Sequence, residues 1–264
     1  MQEFSFHIKT AEPEAAGFLA RGTGLSKTRI KEIMNKGAIW LERYGKTRRL
    51  RRAKATLQPA DTVNIYYDEK VIDAVPPEPR LIKDNKAYSV WCKPPGLLSS
   101  GSRFGDHCAI NRWVESNLKP ERPVFIVHRL DRMASGLMVL AHTKQTAARL
   151  SEQFQKRAVT KRYIVEVQGD YVGSNTINES LDGRAAISHI KVVKNCSEST
   201  TLLVSIETGR KHQIRRHLSG AGYPVLGDHL YGGPDSHHLH LEAVFLEFTC
   251  PVSGETVIFQ SEFK

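Results

Sequence analysis

Apolar residues recur at helical spacing in two short segments near the start of the chain, "EAAGFLA" and "SKTRIKEIMNKG". In the second, Ile30, Ile33 and Met34 share one face, Ser26 precedes the periodic run as an N-cap, and Gly37 follows it as a stop. "AIWLE" and "TVNIYY" are rich in β-branched and aromatic residues and read as strands, and "QPAD" just before the second is a turn. "DEKVIDAVPPEPR" carries Pro76, Pro77 and Pro79, which stiffen an extended segment and forbid helix. It reads as a linker. From Leu81 onward the period changes: "YSVWCKP", "GLMVLAH" and "KRYIVEVQG" are strand-like, the last with Tyr163, Val165 and Val167 on one face. "SHIKVV" and "TLLVSIET" can pair as antiparallel strands, and "LEAVFLEFTCP" and "ETVIFQ" close the chain as strands. Helices are expected at "TKQTAARLSEQFQKR", capped by Thr143, and at "RKHQIRRHLSGAG", with Ile214 and Leu218 one turn apart. Neighbouring runs of strands with few helices predict an α+β fold with a mixed, largely antiparallel sheet and flanking helices. The expected organisation is a small α+β module over residues 1–72, a linker over 73–80 and a larger domain over 81–264.

At 264 residues the chain is long enough for one medium and one small core. It holds no apolar run of about 18 residues, so no transmembrane helix is expected. The opening "MQEFSFHIKTAEPEA" lacks a basic-then-apolar leader pattern, and a cytoplasmic protein is expected. Cys92, Cys108, Cys196 and Cys250 are scattered with no CxxC pair, which favours reduced thiols over a disulfide framework or zinc. "HHLH" has no spaced partner cluster, so no metal is expected there.

The formal net charge is +10, from 38 Lys plus Arg against 28 Asp plus Glu. Such an excess attracts polyanions, of which nucleic acid is the commonest soluble one. It concentrates in "RYGKTRRLRRAK", Arg43 to Lys54, with seven basic residues and no acidic one. Alone, that run is a solvated loop. Its frame of helix, helix, strand, basic loop and strand is similar to the alpha-L type RNA-binding module named after a small-subunit ribosomal protein. The resemblance covers roughly residues 12–68, loosely through "SKTRIKEIMNKGAIWL" and "PADTVNI". It implies an RNA-facing side carrying Arg29, Lys31 and Lys36, with Arg48, Arg49, Arg51 and Arg52 as further contacts.

Several chemistries are excluded by their missing signatures. There is no GxxxxGK[ST] phosphate loop, no HExxH, no GxSxG, and "GTG" at Gly22 lacks the third glycine of a dinucleotide fingerprint. "HRLD" is not a kinase loop, because Leu130 separates Arg129 from Asp131 and no glycine-rich loop or DFG accompanies it. The stretch "HRLDRMASGLMVLAH" sets Asp131 between Arg129 and Arg132 at the mouth of an apolar strand. Either the charges form a surface ion pair, or Asp131 is a positioned catalytic acid.

Three ordered segments, "HRLDRMASG", "KRYIVEVQG" and "GRKHQIRRH", resemble the RluA family of RNA pseudouridine synthases, and "CKPPGLL" and "LHLEAVFLEFTCPVSGE" fit it too. The resemblance spans nearly all of residues 81–262. It departs from the family pattern at Ala134, where threonine is usual, at Glu166, where a small residue is usual, and at Lys211, where threonine is usual. The resemblance implies an isomerase that converts specific uridines to pseudouridine and needs no cofactor. It implies that Asp131 is the essential carboxylate, acting by covalent attack or by proton abstraction. Arg215 is its implied ion-pair partner, since a nearby guanidinium favours a charged carboxylate and orients it. Tyr163 is implied to stack on the base and serve the removal of the ring-carbon proton. The base must be flipped out of its stack, and Arg129 is implied to fill the gap. His128 is expected to hold the loop, and Arg132 and Arg216 to be phosphate contacts or solvated charges.

The expected partner is RNA, ribosomal RNA ahead of transfer RNA, with no membrane and no obligatory protein partner. Two other readings fit the residues less well. A non-catalytic RNA-binding or ribosome-assembly protein on the same scaffold would not need Asp131, Tyr163 and Arg215 together. A glycoside hydrolase would need two carboxylates flanking a bond, and only Asp131 lies in a strong motif.

Overall fold

The computed structural model describes residues 1–196 and 198–261. The chain divides into two compact units. One comprises Met1–Pro76 with Ser100–Ser116; the other comprises Pro77–Ser99 and the chain from Asn117 onward.

The first unit contains β1 (Gln2–His7), α1 (Ala15–Thr23), α2 (Lys27–Asn35), β2 (Ile39–Arg43), β3 (Lys46–Arg49), β4 (Thr62–Tyr67), α3 (Glu69–Ile72) and most of α4 (Ile110–Asn117). Its four strands order β1-β4-β2-β3, all antiparallel. The Ser26 hydroxyl caps α2 by accepting from the Arg29 amide at 3.1 Å, and Gly37 stops the helix with φ +80. Ile30, Ile33, Met34, Leu19 and Ile65 are fully buried in one core, each contributing about 2 kcal/mol by area burial. The basic segment differs from its expected form: Lys46–Arg49 is not loop but strand, paired with β2 across a turn at Tyr44 and Gly45. Long charged side chains on an edge strand keep their heads in water, so a strand can be built without apolar alternation. Just ahead of the expected linker over 73–80, the stretch that opens at Asp68 likewise forms a helical turn, α3, capped by the Asp68 carboxylate.

The second unit contains β5 (Arg80–Asp84), β6 (Tyr88–Lys93), β7 (Phe125–Ile126), β8 (Ser135–Ala141), α5 (Lys144–Gln155), β9 (Thr160–Gln168), β10 (Thr176–Asn178), β11 (Ile187–Asn195), β12 (Ser199–Ile206), α6 (Gln213–Gly220), β13 (Leu241–Thr249) and β14 (Thr256–Gln260). Its ten-stranded sheet runs β10-β11-β12-β9-β13-β8-β6-β5, with β14 on β13 and β7 on β8. Every pairing is antiparallel except β13 with β8. The expected α+β class with a largely antiparallel sheet is what forms. Thr143 caps α5 as expected, accepting from the Thr146 amide at 3.1 Å. Tyr163, Val165 and Val167 are buried on one face of β9, while Ile164 and Glu166 look to the other.

The parallel contact between β13 and β8 depends on one glycine. Gly136 has φ +105, and a Cβ there would lie 2.2 Å from the Ala243 carbonyl oxygen. The backbones therefore approach at that point only because no side chain intervenes. This close approach sets where the preceding loop, residues 128–134, leaves the sheet.

Candidate active site

A cavity of about 610 Å³ opens in the second unit between the 128–134 loop, β9, the end of β12 and the start of α6. Arg129, Lys161, Arg210, Lys211 and Arg215 line it, and Asp131 is the one carboxylate among its lining residues. A cation-rich cleft with a single acid suits a polyanionic substrate on which one carboxylate acts.

The loop that carries Asp131 is pinned at three points. The His128 Nε2 accepts from the Val139 amide at 3.0 Å, and its ring stacks on Phe154 with centroids 4.5 Å apart. Burial pushes His128 down to about 3, so the ring is a neutral acceptor. Next, the Ser99 hydroxyl donates to the Leu130 carbonyl at 2.6 Å and accepts from the Leu130 amide at 3.0 Å. Last, Lys93 is fully buried, and its Nζ donates to the carbonyls of Pro94, Leu97 and Arg132 at 2.9, 2.9 and 3.1 Å. Burial pushes its pKa down to about 8, against the pull of Asp131. The loop is thus fixed on both sides of the acid.

Asp131 does not pair with its neighbours in sequence. Its Oδ2 lies 3.4 Å from Arg215 Nη1, the expected partner, and its Oδ1 lies 3.8 Å from His212 Nε2. Arg215 sits in the first turn of α6 and is almost wholly buried. Its Nε and Nη2 donate to Asp228 at 2.7 and 2.6 Å, and its guanidinium lies 5.0 Å from the Tyr231 ring centroid. Burial acts to lower the Arg215 pKa, but Asp228 and then Asp131 outweigh it and raise it. His212 precedes α6 in the left-handed region, φ +53, with its Nδ1 2.9 Å from the Tyr231 hydroxyl. Burial lowers its pKa, while the charge of Asp131 pulls the other way.

Tyr163 is buried and faces the same cavity, with no hydrogen-bond partner for its hydroxyl among the described residues. Burial, and then the charge of Asp131, raise its pKa, so the phenol stays protonated. Arg129 is exposed at the cavity with no ion pair among the described residues. Arg132 donates to the Gly96 carbonyl at 3.3 Å, and Arg216 pairs with Asp182 at 2.9 Å.

The remaining expected residues lie in the first unit, and several are occupied. Arg29 bonds Glu32 and Asp73, each at 2.7 Å, and the Tyr67 hydroxyl. Arg49 and Arg51 both pair with Asp106, and Arg49 also covers Trp40 at 4.2 Å. Lys31, Arg48 and Arg52 are exposed and carry no ion pair among the described residues.

Of the family departures, Ala134 is buried in the cavity wall and Lys211 is exposed at its rim. Glu166 lies on the opposite sheet face from Tyr163 and pairs with His240 at 2.8 Å. No group of three or more His, Cys, Asp or Glu side chains is placed to hold a metal among the described residues. No helix there is long and apolar enough to cross a membrane.

Sequence reasoning missed Asp228, His212, Ser99 and Lys93 as parts of the site. Lys93 had a signal, a lone cation ending the apolar run "YSVWCK". Asp228 had only its place in "GDHLYG", which reads as an ordinary turn.

Comparison with known proteins identifies the class to which this fold and cavity belong. The family described as RNA pseudouridylate synthase matches residues 87–220. "Ribosomal large subunit pseudouridine synthase D" of Xanthomonas campestris is 31% identical over 88% of this chain and 80% of its own. An uncharacterized RNA pseudouridine synthase of Aquifex aeolicus is 30% identical over 97% of this chain and 92% of its own. In structure, human RNA Pseudouridylate Synthase Domain Containing 4 matches with a TM-score of 0.57 at 24% identity, over 70% of this chain and 88% of its own. The chain belongs to the RNA pseudouridine synthase family and is an isomerase acting on RNA.

Proposed function

We propose that the protein isomerises specific uridines of ribosomal RNA, with Asp131 as the essential carboxylate. The observation that carries this reading is the Asp131–Arg215 pair in a cavity whose other charged lining residues are cationic. The ribosomal preference is supported by the name of the Xanthomonas campestris relative, a ribosomal large subunit pseudouridine synthase. A cytoplasmic site of action goes with that substrate.

In the reaction the bond from the sugar C1′ to N1 of uracil breaks. The base turns, C1′ bonds to C5, C5 loses its proton and N1 gains one. No electrons are exchanged, so the residues named suffice in type. Asp131 sits where a carboxylate can meet the sugar, by attack or by proton abstraction. Arg215 orients it without enclosing it. Tyr163, buried on the cavity wall, is read as the ring that stacks on the base, and its protonated phenol can relay the C5 proton only by giving up its own proton as it takes one. The exposed guanidinium of Arg129 has the shape and charge to stack in the gap left by a flipped base and bond phosphates. The N-terminal unit acts as an alpha-L type RNA-binding module, with Lys31, Arg48 and Arg52, exposed and without ion pairs among the described residues, among its contacts.

The test is to treat RNA from cells lacking the gene with wild-type protein and with Asp131→Asn, then map pseudouridine. The expected result is new sites in ribosomal RNA with wild type and none with the variant. New sites confined to transfer RNA would overturn the ribosomal assignment, and identical maps would overturn the role of Asp131.

A further inference from the structure

We infer that Asp228 is a positioning residue for the reaction: it holds the Arg215 guanidinium near the Asp131 carboxylate but keeps it from closing onto it. This rests on the reading of Asp131 as the essential acid. Arg215 is shared by two carboxylates, and the sharing is unequal. Asp228 takes the Nε and Nη2 edge in two hydrogen bonds of 2.7 and 2.6 Å, while Asp131 meets Nη1 alone at 3.4 Å. A guanidinium is planar with fixed angles, so fixing one edge fixes the direction of the remaining nitrogen.

Asp228 is itself immobile. Its side chain has 0% exposure, and Oδ1 also accepts from the amides of Leu230 and Tyr231, both at 3.2 Å. Gly227, just before it, has φ +75, and a Cβ there would lie 2.0 Å from the His238 carbonyl oxygen. The turn therefore has one backbone path, and it aims Asp228 at Arg215. Tyr231 in the same turn lies against the guanidinium and bonds His212, which faces the other oxygen of Asp131.

The consequence is chemical. Were Arg215 free, its strongest arrangement with Asp131 would be a two-bond fork near 2.8 Å. Both carboxylate oxygens would then be tied up, and the acid would be masked from the sugar. The tight pair with Asp228 prevents that collapse and leaves Asp131 with long contacts only, 3.4 Å to Arg215 and 3.8 Å to His212, so its oxygens stay available to the cavity.

The experiment follows tritium release from total RNA labelled with [5-³H]uridine, isolated from cells lacking the gene, for wild type, Asp131→Asn, Asp228→Asn, Arg215→Lys and the Asp228→Asn/Arg215→Lys double variant. Asp228→Asn is expected to lower kcat by about 10- to 100-fold, as misplacement of a catalytic group by an ångström does, with KM within about threefold. On the Arg215→Lys background, where no fork exists to be clamped, Asp228→Asn should lower kcat less than about twofold further. If Asp228→Asn does not fold, Asp228→Glu keeps the buried charge but displaces the fork, and the same kcat-only loss is expected. Wild-type kcat in the Asp228 variant that folds, or an equal loss on both backgrounds, overturns the positioning role while Asp131→Asn remains inactive. Activity in Asp131→Asn overturns the reading of the acid itself, and this inference with it.

Discussion

Asp131 and Arg215 lie 84 positions apart in the chain and 3.4 Å apart in the structure, yet only one of them is built into the interior. Arg215 is 10% exposed and bound to the fully buried Asp228, whereas Asp131 is 23% exposed. The two residues should therefore separate stability from activity. Arg215→Ala leaves Asp228 buried without its cation and should cost about 3–5 kcal/mol of unfolding free energy. Asp131→Asn breaks only a long, partly solvated pair and should cost less than about 1 kcal/mol. Both variants should lose activity. Urea unfolding beside a tritium-release assay measures both quantities. An equal loss of stability in the two variants would contradict the asymmetry.

Tyr163 permits a similar separation. Its ring is buried, but its hydroxyl has no hydrogen-bond partner among the described residues. Tyr163→Phe removes no bond, so unfolding stability should change by less than about 0.5 kcal/mol or rise slightly. If the phenol serves the departure of the C5 proton, kcat should fall by about 100-fold or more, the scale of a lost acid–base group. A wild-type rate in Tyr163→Phe would reduce the residue to a stacking surface.

The basic hairpin should behave as two classes of arginine. Arg48 and Arg52 are exposed without ion pairs among the described residues, whereas Arg49 and Arg51 hold Asp106. Neutralising Arg48 and Arg52 together should weaken RNA binding and reduce the slope of log K against log salt by about 1.5, for two phosphate contacts. Neutralising Arg49 and Arg51 should instead lower stability, because Asp106 is buried and would lose both cations. Binding isotherms over a salt series, with melting curves for each variant, distinguish the classes. An unchanged slope in the first pair would remove this hairpin from the RNA surface.

The sheet of the second unit was legible because its strands alternate and its turns carry glycine and proline. β9, β11, β12, β13 and the helices α5 and α6 fall where the pattern places them. β3 was hidden because an edge strand made of Lys and Arg has no apolar alternation to read. β1 does alternate, with Phe4 and Phe6 on the packed face, but two apolar positions in six residues are a weak signal beside the longer strands. In the site, Asp131 and Arg215 were reached through motif resemblance, and their spacing alone would not have joined them. Asp228 was illegible for a physical reason. An Asp between turn glycines is ordinarily solvated, and nothing local reports that this one is fully buried against a guanidinium supplied by another element. The occupation of Arg29, Arg49 and Arg51 was hidden likewise, since their carboxylate partners Asp73 and Asp106 are distant in sequence.

His128 supplies the pH dependence. Its Nε2 accepts from the Val139 amide and its ring is pressed on Phe154, so protonation would both remove the acceptor and charge a desolvated ring. Burial pushes its pKa from the ordinary 6.5 down to about 3. Between those values the unfolded chain binds a proton that the folded chain does not. The stabilisation is therefore complete above about pH 6.5 and is lost progressively as the pH falls toward 3. At pH 5 the loss should be about 1–2 kcal/mol, the upper figure being 1.5 pH units at 1.36 kcal/mol each and the lower allowing for the ring's partial exposure. His128→Gln should be less stable than wild type at pH 7.5, because the stacked ring is gone. It should also lose less on acidification, because the titrating group is gone. Urea midpoints for both proteins at pH 7.5, 6 and 5 measure the difference, and parallel curves would mean that another group carries the acid sensitivity.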